Sequence, residues 1–174
     1  YQVGVDGMSV AMVLLTAIVF TAGALCSWNI EKRPKDFAIL LCALVAGVFG
    51  VFVSLDLFFF YFFYELAVVP MYLLIGYWGS GNREYATMKL TLYLTAGAVV
   101  ALIGLLMLYF SGITETPTFD LLAMKAAGDA GGGLSTATQE LIFPILLVGF
   151  ATIAPMWPLH SWSPVGHAAA PAAV

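Results

Sequence analysis

The sequence contains few charged residues. Lysine and arginine together number 6, and aspartate and glutamate number 10, in a chain of 174 residues. Hydrophobic residues make up 62% of the chain and the mean hydropathy is +0.99. A water-soluble domain of this length exposes too much of its surface to hide so large an apolar fraction. The composition therefore excludes a soluble domain and predicts an all-α, polytopic membrane helix bundle.

Positive charge and cysteine are also scarce. The net charge is −4 and no basic patch is visible, so we expect no nucleic-acid partner. Cys26 and Cys42 lie inside apolar runs, and we interpret them as small packing residues rather than as a disulfide or metal site. Because the sequence begins at Tyr1 without a cleavable signal and stops at "AAAPAAV", we interpret it as an internal piece of a longer chain.

Long apolar runs predict the membrane-spanning helices. A helix needs about twenty apolar residues to cross the hydrocarbon core. The sequence predicts spans at Met8–Trp28, Phe37–Leu55, Leu57–Trp78, Leu90–Phe110 and Leu141–Trp162. The second and third windows are nearly continuous, and we expect the chain to fold back at Asp56. The long connection at residues 111–140, rich in Gly, Thr and Ala, is predicted to lie outside the membrane, with a short helix near Leu121–Ala127.

The lysines and arginines predict the orientation. Lys32, Arg33 and Lys35 lie in the first connection, and Arg83 lies in the third, with Lys89 at the next helix entry. Five spans place these two connections on the same side of the membrane. The positive-inside rule assigns that side to the cytoplasm. We expect an integral, multi-pass protein of a prokaryotic cytoplasmic membrane.

Glu65 is the most unusual residue of the third span. No lysine or arginine lies within fifteen residues of it, and it follows Leu57 by eight residues, hence about 12 Å into a core about 30 Å thick. A carboxyl group at that depth costs at least ~2.5 kcal/mol to insert, so it should face protein or a water-filled path. We interpret Glu65 as a proton-exchanging site; the alternative is a protonated glutamate that makes one interhelical hydrogen bond. Tyr61 and Tyr64 could extend a hydrogen-bonded chain or could simply pack.

Two other features border this site. Pro70 removes a backbone hydrogen bond from the same helix, and we expect a kink there. Lys89 begins the fourth span together with several hydroxyl side chains. It is either a proton entry point and charge partner of Glu65 or a lysine that extends its amine to the membrane surface.

Prolines interrupt the last span. The segment contains Pro144, Pro155, Pro158, Pro164 and Pro171, which predicts a discontinuous helix whose free backbone groups are satisfied by protein or water. His160 and His167 can share a face if the segment is locally helical, and imidazole relays protons near neutral pH. Packing or helix capping is the alternative role for either histidine. We expect no metal site, since zinc needs three or four ligands.

Three motifs carry a resemblance to a known family. These are "YQVGVDGMSVAMVLLT", "LDLFFFYFFYELAVVPMYLLIGYWG" and "PMWPLHSWSPVGHAAAP", in this order. Together they resemble the proton-translocating membrane subunits of respiratory complex I, the NADH:quinone oxidoreductase, especially those of the chain M (subunit 4) type, and the related Mrp-type antiporters. The resemblance implies a fold of about fourteen helices with inverted repeats. It also implies that Glu65 belongs to a charge pair in a proton channel, with His160 and His167 at the broken helix.

The sequence departs from the family pattern at two positions. Ile153 stands where most members have the lysine that pairs with the buried glutamate, and Val165 stands where an aspartate is expected. We therefore expect either another cation, such as Lys89, to serve Glu65 or this half-channel to be altered.

The resemblance implies a membrane subunit that couples electron transfer to proton translocation. NADH, FMN, iron–sulfur clusters and quinone are then expected in partner subunits, with none of these cofactors in this chain, and the expected partners are other membrane-arm subunits, lipid and protons. The alternatives are a cation/proton antiporter, a related hydrogenase or dehydrogenase subunit, and a structural membrane-arm subunit that no longer pumps.

Overall fold

A computed structural model describes residues 2–114, 116–131 and 133–174. The helices are α1 (Gly7–Cys26), α2 (Pro34–Val53), α3 (Leu57–Trp78), α4 (Arg83–Tyr109), α5 (Leu121–Asp129), α6 (Thr136–Ile153) and α7 (Trp162–Ala169), with a 3-10 turn at Leu159–Ser161. Over these residues, five helices, α1, α2, α3, α4 and α6, are long and apolar enough to cross a membrane. The predicted all-α membrane bundle is confirmed.

Helix starts on one side of the bundle carry side-chain caps. Asp6, Asp56 and Asp120 accept backbone N–H hydrogen bonds at the first turns of α1, α3 and α5, and Ser135 does so at α6. At α1 the Ser9 N–H lies 2.7 Å from the carboxylate, which lowers the pKa of Asp6 from its ordinary value. Asp56 thus starts α3 at the position where the sequence predicts the chain to fold back.

The connection between α2 and α3 is held from both sides by backbone hydrogen bonds. The Gly4 N–H donates to the Val53 carbonyl (3.0 Å) and the Leu121 N–H donates to the Leu55 carbonyl (3.0 Å). The N-terminal segment and the long connection therefore meet at the membrane-surface turn. Residues 115 and 132 of that connection lie outside the described residues, and α5 covers the short helix predicted near Leu121–Ala127.

Small residues allow the helices to pack closely. A Cβ atom added at Gly47 of α2 would lie 2.9 Å from the Ala67 Cβ of α3, and one added at Gly149 of α6 would lie 2.7 Å from the Ala101 Cα of α4. In lipid, where apolar surface gains little from helix association, such close backbone approach is the main source of packing energy. Two pairs, α2 with α3 and α4 with α6, form the framework of the bundle.

Two predicted spans need correction. The fourth helix begins at Arg83, not near Leu90, because its first polar turns extend beyond the apolar core while still forming helical hydrogen bonds. The window 141–162 is not one helix: α6 covers Thr136–Ile153, and the chain then turns before α7.

The last span is discontinuous, as predicted. Leu146 and Thr152 of α6 approach Gly104 and Gly97 of α4, and Gly166 of α7 approaches Leu90. The Ser80 N–H then donates to the Ala169 carbonyl at the end of α7 (2.9 Å). The two helices therefore follow α4 along most of its length, with the break beside its middle.

Candidate functional site

Glu65 lies in the middle of α3. It is the ninth residue of a 22-residue helix and is half-buried. The Tyr61 hydroxyl, one turn earlier on the same helix, lies within reach of the Glu65 carboxyl group. This proximity meets one requirement of a carboxyl group at membrane depth, since the group has a polar neighbour within the protein.

Tyr64 lies next to Glu65 on the side of α3 that faces α4 and α7. Its ring packs against a buried cluster that includes Val68, Leu94 and Trp162. Its hydroxyl oxygen is buried and has no hydrogen-bond partner among the described protein atoms. The two tyrosines predicted as possible relay groups therefore differ: Tyr61 lies within reach of the carboxyl, and Tyr64 directs an unsatisfied hydroxyl into the bundle.

The break after α6 lies near the same depth. Pro155 has no N–H, so the Ala151 carbonyl accepts from the Met156 N–H (2.9 Å). The Thr152 carbonyl, which loses its helical partner, accepts from the Trp162 indole Nε1–H (2.9 Å). The free backbone groups are thus satisfied in part by a side chain from the following helix, as a break inside a membrane requires.

Two aromatic residues make a contact between α3, one turn before Glu65, and the last part of α6. The rings of Phe60 on α3 and Phe150 on α6 lie 6.2 Å apart. Both border a cavity of about 390 Å³ that Asp6, Ser54 and Asp56 line on the side of the capped helix starts. Glu65 follows Phe60 by little more than one helical turn, so it lies just beyond the end of this cavity.

The structure does not bring Lys89 to Glu65. Gly76 lies beside Thr87 in the antiparallel α3–α4 pair. Glu65 lies eleven residues before Gly76, and Lys89 lies two residues after Thr87. Because the helices are antiparallel, both displacements point the same way, and their difference separates the two residues by about 14 Å along the bundle at ~1.5 Å per residue. The Lys89 Nζ instead lies 5.7 Å from the centre of the Tyr85 ring. Lys89 is therefore not in direct contact with Glu65, and its role in proton movement stays a prediction.

Both histidines lie after the break and are exposed in this chain. His160 belongs to the 3-10 turn, and His167 belongs to α7, where its ring centre is 6.4 Å from that of Trp162. The 3-10 turn leads directly into α7, and a shared face for the two histidines stays a prediction. Their role in proton transfer stays a prediction, and within the described ranges no group of three or more His, Cys, Asp or Glu side chains could hold a metal ion.

Two interactions at the break were not predicted from the sequence. The Ser161 hydroxyl donates to the Tyr93 hydroxyl (3.2 Å), and Trp162 binds the Thr152 carbonyl. The "PLHSW" motif shows that a serine and a tryptophan lie at the break. It does not identify their partners, because Tyr93 lies on another helix and Thr152 lies before the break. Ile153 is the last residue of α6, and Val165 packs against the buried cluster around Trp162.

A bundle of apolar helices that carries a half-buried carboxyl group beside a broken helix is typical of membrane proteins that move ions. Residues 54–174 match the family model described as NADH:quinone oxidoreductase/Mrp antiporter, TM. The chain belongs to this family, which confirms the resemblance predicted from its motifs.

Relatives and solved structures agree with this assignment. The chain is 37% identical over 177 residues to NADH-quinone oxidoreductase subunit M of Rhodobacter capsulatus, covering 99% of this chain and 35% of the relative. It is 36% identical to F(420)H(2) dehydrogenase subunit M of Methanosarcina mazei, covering 99% of this chain and 35% of that relative. Respiratory complex I from Thermus thermophilus contains a similar chain (TM-score 0.78, 27% identity, 97% of this chain and 34% of that one). The chain thus spans about a third of the length of the curated relatives it matches.

Proposed function

We propose that this chain is part of a membrane subunit of an NADH:quinone oxidoreductase of the complex I type, in which it contributes to coupling electron transfer with proton translocation. The observation that supports this most strongly is Glu65: a carboxyl group near the middle of α3, with the Tyr61 hydroxyl within reach, in a chain of this family. The relatives named as NADH-quinone oxidoreductase subunits support the type of complex.

In this proposal Glu65 takes up and releases a proton. A carboxyl group with a hydroxyl group beside it has a hydrogen-bonding neighbour in both its ionised and its protonated form. The break after α6 supplies backbone carbonyls near the same depth. His160, His167 and Lys89 act farther along the proton path, since none of them contacts Glu65 in the described part of the chain.

The electron-transfer groups belong to other chains in this proposal. NADH, FMN, the iron–sulfur clusters and the quinone are held by partner subunits, and other membrane-arm subunits cover the exposed helix faces. The assembly lies in a prokaryotic cytoplasmic membrane, with Lys32, Arg33 and Lys35 on the cytoplasmic side.

The test is Glu65→Gln in the complete complex, reconstituted in sealed vesicles. Because glutamine cannot exchange a proton, we expect proton translocation per NADH oxidised to fall to near background, with slower NADH oxidation where coupling is tight. Glu84→Gln is the matched control, since Glu84 is exposed in the first turn of α4. Normal proton translocation by an assembled Glu65→Gln complex would remove Glu65 from the mechanism.

A second candidate is a related dehydrogenase with a different electron donor. The similarity to an F(420)H(2) dehydrogenase subunit, at 36% identity, is comparable to that of the NADH-quinone oxidoreductase relatives. Membranes that contain the complex distinguish the two: quinone reduction with NADH supports the first candidate, and reduction with reduced F420 but not NADH supports the second.

A further inference from the structure

The end of the bundle where α2 and α4 begin concentrates the positive charge of the chain. All of the 6 lysine and arginine residues except Lys125 lie there. Two of them lie near one aromatic ring: the Lys32 Nζ is 5.2 Å and the Arg33 Cζ is 5.7 Å from the centre of the Tyr77 ring. The Arg83 guanidinium donates to the Tyr77 backbone carbonyl (2.8 Å). We call these three cations and Tyr77 the cation cluster.

Contacts with α2 and α3 hold the connection that carries Lys32 and Arg33. The Trp78 indole Nε1–H donates to the Lys32 carbonyl (2.7 Å). The Trp78 ring in turn packs edge-on against the buried ring of Phe37 in α2, with their centres 5.4 Å apart. The backbone that carries these two cations is therefore bound to the ends of two helices.

The positive charge of the cation cluster is only partly balanced. In the described part of the chain one ion pair reaches the cluster, between the Arg33 Nε and the Asp36 carboxylate (2.6 Å). Glu31 and Glu84 lie next to the cluster in sequence and are exposed, and neither is ion-paired with it over the same residues. Because cations held close together repel one another, the cluster favours an anionic ligand.

A groove of about 430 Å³ between α3 and α4 begins at the same tyrosine. Its wall includes Tyr77, Leu73 and Gly76 of α3 and Met88 of α4, and Glu84 lies at its outer end. Leu73 is 43% exposed and Met88 is 51% exposed, so the groove opens on the surface of the bundle. Since Leu73 precedes Tyr77 by four residues, the groove extends about 6 Å from the end of α3 towards the membrane core at ~1.5 Å per residue.

We propose that the cation cluster and this groove together bind one anionic phospholipid. The phosphate lies against Lys32 and Arg33 at the membrane surface, and the first part of an acyl chain lies in the groove beside Leu73. The Glu84 carboxylate repels a phosphate, which keeps the headgroup on the side of the cations. Basic pockets at the ends of membrane helices suit anionic headgroups. A groove that leads from such a pocket towards the core distinguishes a lipid from a soluble anion or an acidic protein segment.

The inference is tested by photolabelling of the complete complex in phosphatidylcholine vesicles. The vesicles contain a minor fraction of phosphatidylglycerol or of phosphatidylcholine that carries a diazirine near the start of one acyl chain. Mass spectrometry then locates the label, and we expect phosphatidylglycerol to label Leu73 and Met88 more than phosphatidylcholine does. One cation near the membrane surface corresponds to roughly fivefold in affinity for an anionic lipid. Lys32→Gln should therefore lower the ratio of the two labels by about fivefold, and Lys125→Gln, the control at the other end, should leave it unchanged.

A second pair of variants tests the groove. Leu73→Trp fills it and should abolish the labelling of Met88, whereas Leu66→Trp should not. Leu66 lies on the same helix, is 42% exposed and does not line the groove.

Equal labelling by the two lipids, or a ratio that Lys32→Gln leaves unchanged, would overturn the inference. An unlabelled groove in the unmodified complex would also overturn it, because another protein segment would then cover the site. These outcomes do not involve Glu65, so the inference and the proposed function are tested separately.

Discussion

Buried polar side chains have to find partners inside the protein when the surrounding solvent is lipid. Two pairs of residues illustrate how this chain meets that requirement. The Tyr61 hydroxyl lies beside the Glu65 carboxyl group, and the Trp162 indole donates to the Thr152 carbonyl. The second interaction replaces a helical hydrogen bond that the break at Pro155 removes, so a side chain performs the task of a missing backbone group.

Trp162→Phe tests this replacement. Phenylalanine keeps an aromatic ring but cannot donate to the Thr152 carbonyl, and we expect a loss of stability of about 1–3 kcal/mol. The measurement is the thermal unfolding of the purified complex. Trp157→Phe is the control because Trp157 belongs to the same broken segment but is 84% exposed, whereas Trp162 is 6% exposed. Equal effects of the two substitutions would show that the indole hydrogen bond is not what stabilises the break.

At the scale of helices, close packing between α4 and α6 holds the broken span in place. Gly97, Gly104 and Gly149 lie where the two helices approach, and Cβ atoms added at any of them would meet neighbouring atoms at 2.5–2.8 Å. The break interrupts the backbone hydrogen bonds between α6 and α7. The position of α6 therefore depends on its contact with α4. α6 is thereby kept beside α4.

Gly149→Ala tests the packing of these helices. The added methyl group would lie 2.5 Å from the Ala101 backbone nitrogen, which is too close for contact and cannot be relieved by a rotamer change. We expect a destabilisation of about 1–3 kcal/mol, measured as a lower thermal midpoint and a lower yield of assembled complex. Gly128→Ala in α5 has nothing within 4 Å and should have no such effect. A neutral Gly149→Ala would contradict the close approach.

The whole bundle has two unlike ends. One end carries the capped starts of α1, α3, α5 and α6, and the other carries Lys32 and Arg33, which lie 5.2 Å and 5.7 Å from the Tyr77 ring centre. The Trp78 indole donates to the Lys32 carbonyl (2.7 Å) and ties the two connections of this end together. Lysine and arginine at one boundary are typical of the cytoplasmic side, and tyrosine and tryptophan are typical of either membrane surface.

Cysteine labelling tests this orientation in a chain whose Cys26 and Cys42 are replaced by serine. We expect Ser80→Cys, at the end with the cations, to react with a membrane-impermeant maleimide only after the cells are opened. Gly128→Cys, in α5 at the other end, should react in intact cells. Both positions are exposed, so accessibility within the protein does not distinguish them. The reverse pattern would place the cation-rich end outside.

Much of the fold was predictable because lipid imposes simple rules on a sequence. The window predicted for the third span coincides with α3, and Glu65 is the ninth residue of this 22-residue helix. Helix ends with polar residues were less predictable. Arg83 and Glu84 begin α4 although hydropathy placed them in a connection, because backbone hydrogen bonding continues beyond the apolar core.

The sequence by itself determined that this chain is a membrane helix bundle with a carboxyl group at mid-depth and a last span broken by proline, since apolar length, burial cost and a missing N–H are local properties. Only the tertiary structure decided which groups meet. It separates Lys89 from Glu65 and joins Trp162 to Thr152. These relations depend on the register between helices, which arises from the close approach of small residues far apart in the chain.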